Sequence, residues 1–115
     1  MAKRKAPREK LKAPLGEYRD ADGSLLVLRG SLTPAARVEY ANVLSGGRQR
    51  EDAWQRATEF LFERLAVAWT ISGVRIERQK ELLGRYRMAS ADERRFVREA
   101  LRAHLQANFP DVQAP

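Results

Sequence analysis

From Arg50 to Ser72 the chain runs without a glycine or a proline, and this stretch constrains the fold more than any other. At 100° per residue, Trp54, Ala57, Leu61, Phe62, Leu65, Ala68 and Trp69 fall on one arc. Ala53, Phe60, Val67 and Ile71 fall on a second, adjoining arc, and Gln55, Glu59, Glu63 and Thr70 make a narrower polar strip. The pattern predicts one long helix ended by Gly73. Its combined apolar arc is wider than the stripe of an ordinary surface helix. Such a helix is either wrapped by the rest of the chain or offers one arc to another protein. With 115 residues the chain supports one modest core, which leaves few elements to do the wrapping.

The other elements are short. Asp22-Gly23 is a turn signal between Tyr18-Arg19 and the strand-like run Ser24 to Arg29, so a β-hairpin is expected near the front. Thr33 as cap and Pro34 in the first helical position start a helix that Gly46-Gly47 ends. Val74-Arg75-Ile76 reads as a link, and a third helix spans about Arg78 to Arg87. Ser90-Ala91-Asp92-Glu93 is a capping box, and it opens a last helix with Phe96, Val97, Ala100, Leu101, His104 and Leu105 on one face. The expected fold is mainly α, four helices with a short N-terminal strand or β-hairpin. Residues 1–16 are expected as a basic arm, 17–110 as one helical domain and 111–115 as a short tail.

The formal charge of +7 is unevenly placed. Lys3, Arg4, Lys5, Arg8, Lys10 and Lys12 stand against Glu9 alone, whereas residues 13–115 carry sixteen basic and fourteen acidic side chains. A segment this basic, with Pro7 and Pro14, has too little apolar surface to fold alone. It is expected to solubilise the chain, or to touch an acidic partner or, weakly and without sequence preference, nucleic acid. No apolar stretch follows Met1-Ala2-Lys3-Arg4-Lys5, and none reaches the ~18 residues of a membrane span, so neither export nor membrane insertion is expected.

The catalytic inventory is thin. Without cysteine there is no thiolate nucleophile, zinc finger or iron–sulfur cluster, and His104, the single histidine, has no second imidazole for a metal pair. On an apolar helix face a lone histidine reads as a hydrogen-bonded core residue. Glu59 and Glu63 read as a solvated strip, and Gly46-Gly47-Arg48 lacks the lysine and hydroxyl of a phosphate loop. No enzyme activity, cofactor or metal is expected. Nucleic-acid binding has more support: Arg75, Arg78, Lys80, Arg85 and Arg87 cluster between residues 75 and 88. The third helix, the Met88-Ala89 turn and the fourth helix can be read as a helix-turn-helix with Arg94, Arg95 and Arg98 towards a groove. Asp92, Glu93 and Glu99 interrupt that basic row. The candidate nucleic-acid contacts are therefore the six basic residues of the arm with Arg85 and Arg87.

A strand, Leu26-Val27-Leu28-Arg29-Gly30-Ser31, leads into Leu32-Thr33 and a helix with Arg37, Glu39 and Tyr40. A long apolar helix ends in Trp69-Thr70-Ile71-Ser72-Gly73-Val74, and Ala89-Ser90-Ala91-Asp92-Glu93-Arg94 opens the last helix. This order of motifs resembles that of tail assembly chaperones of long-tailed bacteriophages, over roughly residues 24–105. The resemblance implies a non-enzymatic phage or prophage assembly protein in the cytoplasm of a bacterial host, holding a tape-measure-type client soluble and self-associating. From the apolar arcs, the expected partner-binding residues are Trp54, Phe60, Phe62, Trp69 and Ile71, with Tyr40 of the preceding helix as an outlier.

Overall fold

A computed structural model describes residues 15–46 and 50–115. The elements run β1 (Leu15–Arg19), β2 (Leu25–Arg29), α1 (Pro34–Ser45), α2 (Arg50–Leu65), β3 (Ala66–Ile71), β4 (Val74–Ile76), α3 (Gln79–Arg87) and α4 (Ala91–Asn108). The strands form one antiparallel sheet in the order β1-β2-β3-β4. This α+β architecture overturns the expectation of a mainly α fold with one short strand or hairpin. The arm residues Lys3, Arg4, Lys5, Arg8, Lys10 and Lys12 lie outside the described residues, and β1 begins two residues before the boundary expected at Glu17.

The correction falls on the expected long helix. It stops at Leu65, and Ala66–Ile71 continues directly as a strand pairing with β2, so that Leu26 lies opposite Trp69 and Val27 opposite Ala68. Two physical features decide this. Val67, Trp69, Thr70 and Ile71 are β-branched or aromatic and suit a pleated, half-buried surface. Ser72 and Gly73 then both adopt positive φ, 52° and 80°, as the two-residue loop of a primed hairpin turn requires. The stretch expected as a link, Val74–Ile76, is the fourth strand, with Trp69 opposite Ile76.

The first hairpin follows its turn signal. Asp20 accepts from the Asp22 and Ser24 amides through Oδ1, both at 2.9 Å. Gly23, at φ 87°, takes the left-handed position of the three-residue loop. The caps also behave as their sequences predict. The Ala36 amide donates to Thr33 Oγ1 at 3.1 Å, and Ser90 and Glu93 exchange both hydrogen bonds of a capping box, at 3.1 and 2.9 Å.

One face of the sheet carries the core. Leu26, Leu28, Ala66 and Trp69 pack with Leu61, Phe62 and Leu65 of α2 and with Val97, Leu101 and Leu105 of α4. The register shifts between Val27 and Leu28, leaving Val67 as an extra residue opposite them. This bulge sets Ala66 in phase with Leu28 while Ala68 stays in phase with Val27. The last residues, expected as a short tail, fold back on α1. Arg37 pairs with Asp111 at 3.2 Å, the Tyr40 hydroxyl donates to the Gln113 carbonyl, and Phe109 is 3% exposed. No described helix is long and apolar enough to cross a membrane.

Candidate functional site

Of the six residues expected to face a partner, only Trp54 is well exposed, at 47%. Tyr40, Phe62 and Trp69 are core residues at 2%, 0% and 1%. Phe60 and Ile71 are half-buried against the same core, Phe60 stacked on Tyr40 at 6.4 Å between ring centroids. The three interior residues therefore do not present the surface expected of them. With residues 66–71 in a strand, every member of the two expected arcs except Trp54 is at least half-buried within the chain, and Tyr40 of α1 is held under the C-terminal residues through Gln113.

Trp54 stands between two grooves. One, of about 650 Å³, lies between α2 and the facing ends of α3 and α4, and Arg56, Arg87, Arg94 and Arg98 line it with Tyr86 and Glu59. The other, of about 730 Å³, runs between α1 and the C-terminal residues past Arg37, Leu44 and Val112. In the first groove two arginines are neutralised within it, Arg87 by Glu59 and Arg56 by Asp52. Arg94 and Arg98 make no ion pair with any described residue. The Arg94 guanidinium lies 5.4 Å from the Tyr86 ring centroid and donates to the Arg87 carbonyl at 2.7 Å, which fixes it at the groove's inner end. Burial raises the Tyr86 hydroxyl above its ordinary pKa, against the opposing pull of Arg94 and Arg98, so it stays a neutral phenol at the floor of a basic groove.

The arginines expected to touch nucleic acid separate here. Arg87 is exposed and lines the groove. Arg85 is half-buried, forms a two-pronged pair with Glu93 at 3.0 and 2.7 Å, and lies 5.6 Å over the Trp69 ring, so it is structural. Arg94 and Arg98, which the helix-turn-helix reading pointed outward, converge with Arg56 on the groove. Arg56 belonged to neither sequence reading. A run of arginines spaced three to four apart across two helices would have flagged it only with the α2–α4 packing known.

His104 is 0% exposed, and both ring nitrogens are engaged. Nε2 is 2.8 Å from the Arg29 carbonyl, which only accepts, so this nitrogen carries the proton. Nδ1 then accepts from the Tyr18 hydroxyl at 2.8 Å. A Cβ at Gly16 would meet Nδ1 at 2.8 Å, so the ring lies flush on the β1 backbone. This imidazole fastens the first hairpin to α4. Among the described residues there is no group of three or more His, Asp or Glu side chains placed to hold a metal ion.

No protein family, curated protein or solved structure matches the chain. The layout likeness to tail assembly chaperones also changes weight, since its segment Trp69 to Val74 is strand, turn and strand rather than the end of a helix.

Proposed function

We propose that this is a non-enzymatic interaction protein that holds an acidic, amphipathic segment of a client in the arginine groove, with Trp54 as its apolar anchor. The observation that carries the reading is the pairing of an exposed tryptophan with Arg94 and Arg98, two arginines without a carboxylate partner among the described residues. Aromatic and arginine side chains together are the usual energetic centre of a protein interface. The remaining layout likeness supports a phage or prophage assembly role in the bacterial cytoplasm, with a tape-measure-type protein as client.

The test is titration with an acidic amphipathic peptide, followed by calorimetry, which does not need Trp54 as reporter. Trp54→Ala and the pair Arg94→Glu with Arg98→Glu should each weaken binding at least about tenfold, equivalent to ~1.4 kcal/mol. Co-expression with a tape-measure-type protein should raise that protein's soluble yield, and the same variants should abolish the effect. The groove also joins arginines to aromatic rings, as single-strand nucleic-acid sites do. Tight oligonucleotide binding that falls steeply with salt and needs Arg94 and Arg98 would replace the protein-client reading.

A further inference from the structure

The outer edge of β1 is complementary to itself. Asp20 donates to the Ser24 carbonyl at 3.1 Å, so this pair is hydrogen-bonded, and antiparallel pairs alternate. With Tyr18 opposite Leu26 and Glu17 opposite Val27, the amides and carbonyls of Tyr18 and Gly16 point towards β2. Those of Leu15, Glu17 and Arg19 then point away from the sheet, onto an edge that no other described strand pairs, because β1 is the end strand. An edge of unpaired donors and acceptors is a template for another strand.

We propose that two copies of this chain join edge to edge through β1, antiparallel, about a two-fold axis at Tyr18. That axis places Glu17 of one copy opposite Arg19 of the other, and Arg19 opposite Glu17. These are also the residues whose backbone groups face outward, so each facing pair exchanges two hydrogen bonds and sets opposite charges side by side. Both side chains are exposed, and neither has an ion-pair partner among the described residues. The neighbouring register, centred on Glu17, sets Glu17 against Glu17 and is disfavoured by like charge. The product is one continuous eight-stranded sheet with both helical layers on the same side, closed by two-fold symmetry so that it does not propagate. The inference stands apart from the client groove, which is built on α2, α3 and α4.

Charge reversal tests it on the full chain by sedimentation at about 200 µM protein, a concentration that populates even a weak dimer. The wild type should sediment as a dimer. Glu17→Arg alone and Arg19→Glu alone should each be monomeric, with melting temperatures near wild type because both residues are exposed. An equimolar mixture of the two single variants should restore the dimer, since every facing pair is again opposite in sign, and the double reversal should dimerise alone. A monomeric wild type, single variants that remain dimeric, or a mixture that stays monomeric would each overturn the proposal.

Discussion

The Tyr18 hydroxyl donates to Nδ1 of His104 across 2.8 Å, joining residues 86 positions apart in the chain. Their rings meet edge to face with centroids 5.6 Å apart, and Nε2 of the same imidazole holds the Arg29 carbonyl at the far end of β2. One side chain from the last helix therefore ties down both strands of the first hairpin. Tyr18→Phe removes the hydroxyl and, among the described residues, leaves Asn108 Nδ2, at 3.2 Å, as the one donor beside Nδ1. It should cost about 1–2 kcal/mol by denaturant titration. Gly16→Ala should cost at least as much, since its Cβ has no room against the ring. A neutral result for both would show that the hairpin is held by its turn alone.

Ser90, Glu93 and Arg85 make a second joint, where the capping box of α4 is also an ion pair to α3. The Arg85 hydrogen bond, then the Ser90 amide, hold the Glu93 carboxyl below the usual carboxylate range. The folded protein binds this proton less tightly than the unfolded chain does. The contribution is therefore present above the unfolded value of about 4.3 and is lost as pH falls through the lower folded value. Glu93→Gln should lower stability at pH 7 and flatten the acid limb of the stability curve below about pH 5. Ser90→Ala should cost about 1 kcal/mol. An acid limb unchanged by Glu93→Gln would remove this joint from the account.

The turn at Ser72 leaves stability unclaimed. A serine at φ 52° occupies backbone space that asparagine and glycine tolerate better. Ser72→Asn creates the Asn-Gly pair that this turn type favours and should raise stability by about 0.5 kcal/mol. Ser72→Val should lower it by at least about 1 kcal/mol. The melting temperatures of the two variants, moving in opposite directions, are the check.

Trp54 and Trp69 should report separately. Trp54 is half exposed, whereas Trp69 is buried, and its Nε1 has no hydrogen-bond partner among the described residues. Trp69→Phe forfeits packing but no hydrogen bond and leaves Trp54 as the single emitter, red-shifted and open to a soluble quencher. Trp54→Ala should leave a blue-shifted, protected emission and a nearly unchanged melting temperature. Trp69→Ala should lose about 3–5 kcal/mol. Protected emission from Trp54 would mean the groove is already filled.

Much of this was legible in advance. Thr33-Pro34 and Ser90 to Glu93 marked two helix starts through chemistry that acts within four residues, and Asp22-Gly23 marked its hairpin in the same way. The second hairpin was hidden because Ser72-Gly73 is a weaker primed-turn signal than Asn-Gly. Ala68 and Trp69 also continue the 3.6-residue period of α2, so no local pattern separates Leu65 from Ala66. Pairing with β2, nearly forty positions earlier, decides it. The same ambiguity blurred the site. Trp54 and Trp69 share an arc on a continuous helix, and only the strand shows that one is solvent-facing and the other interior. The groove arginines come from three helices, and no linear spacing brings Arg56 to Arg98.

The direct passage from α2 into β3 bears on how the chain finds its shape. The order hairpin, then two helices, occurs twice, as β1-β2-α1-α2 and as β3-β4-α3-α4. Both outer strand pairs close over loops of a few residues, so each forms locally and early. The central β2–β3 pair instead spans the whole α1–α2 excursion, so its loop-closure entropy must be met before its contacts form. Because no flexible joint separates Leu65 from Ala66, the helix that completes the first half delivers the strand that starts the second. The β2–β3 ladder and the hold of His104 on the first hairpin then make one unit of two halves that meet, along the chain, at a single peptide bond.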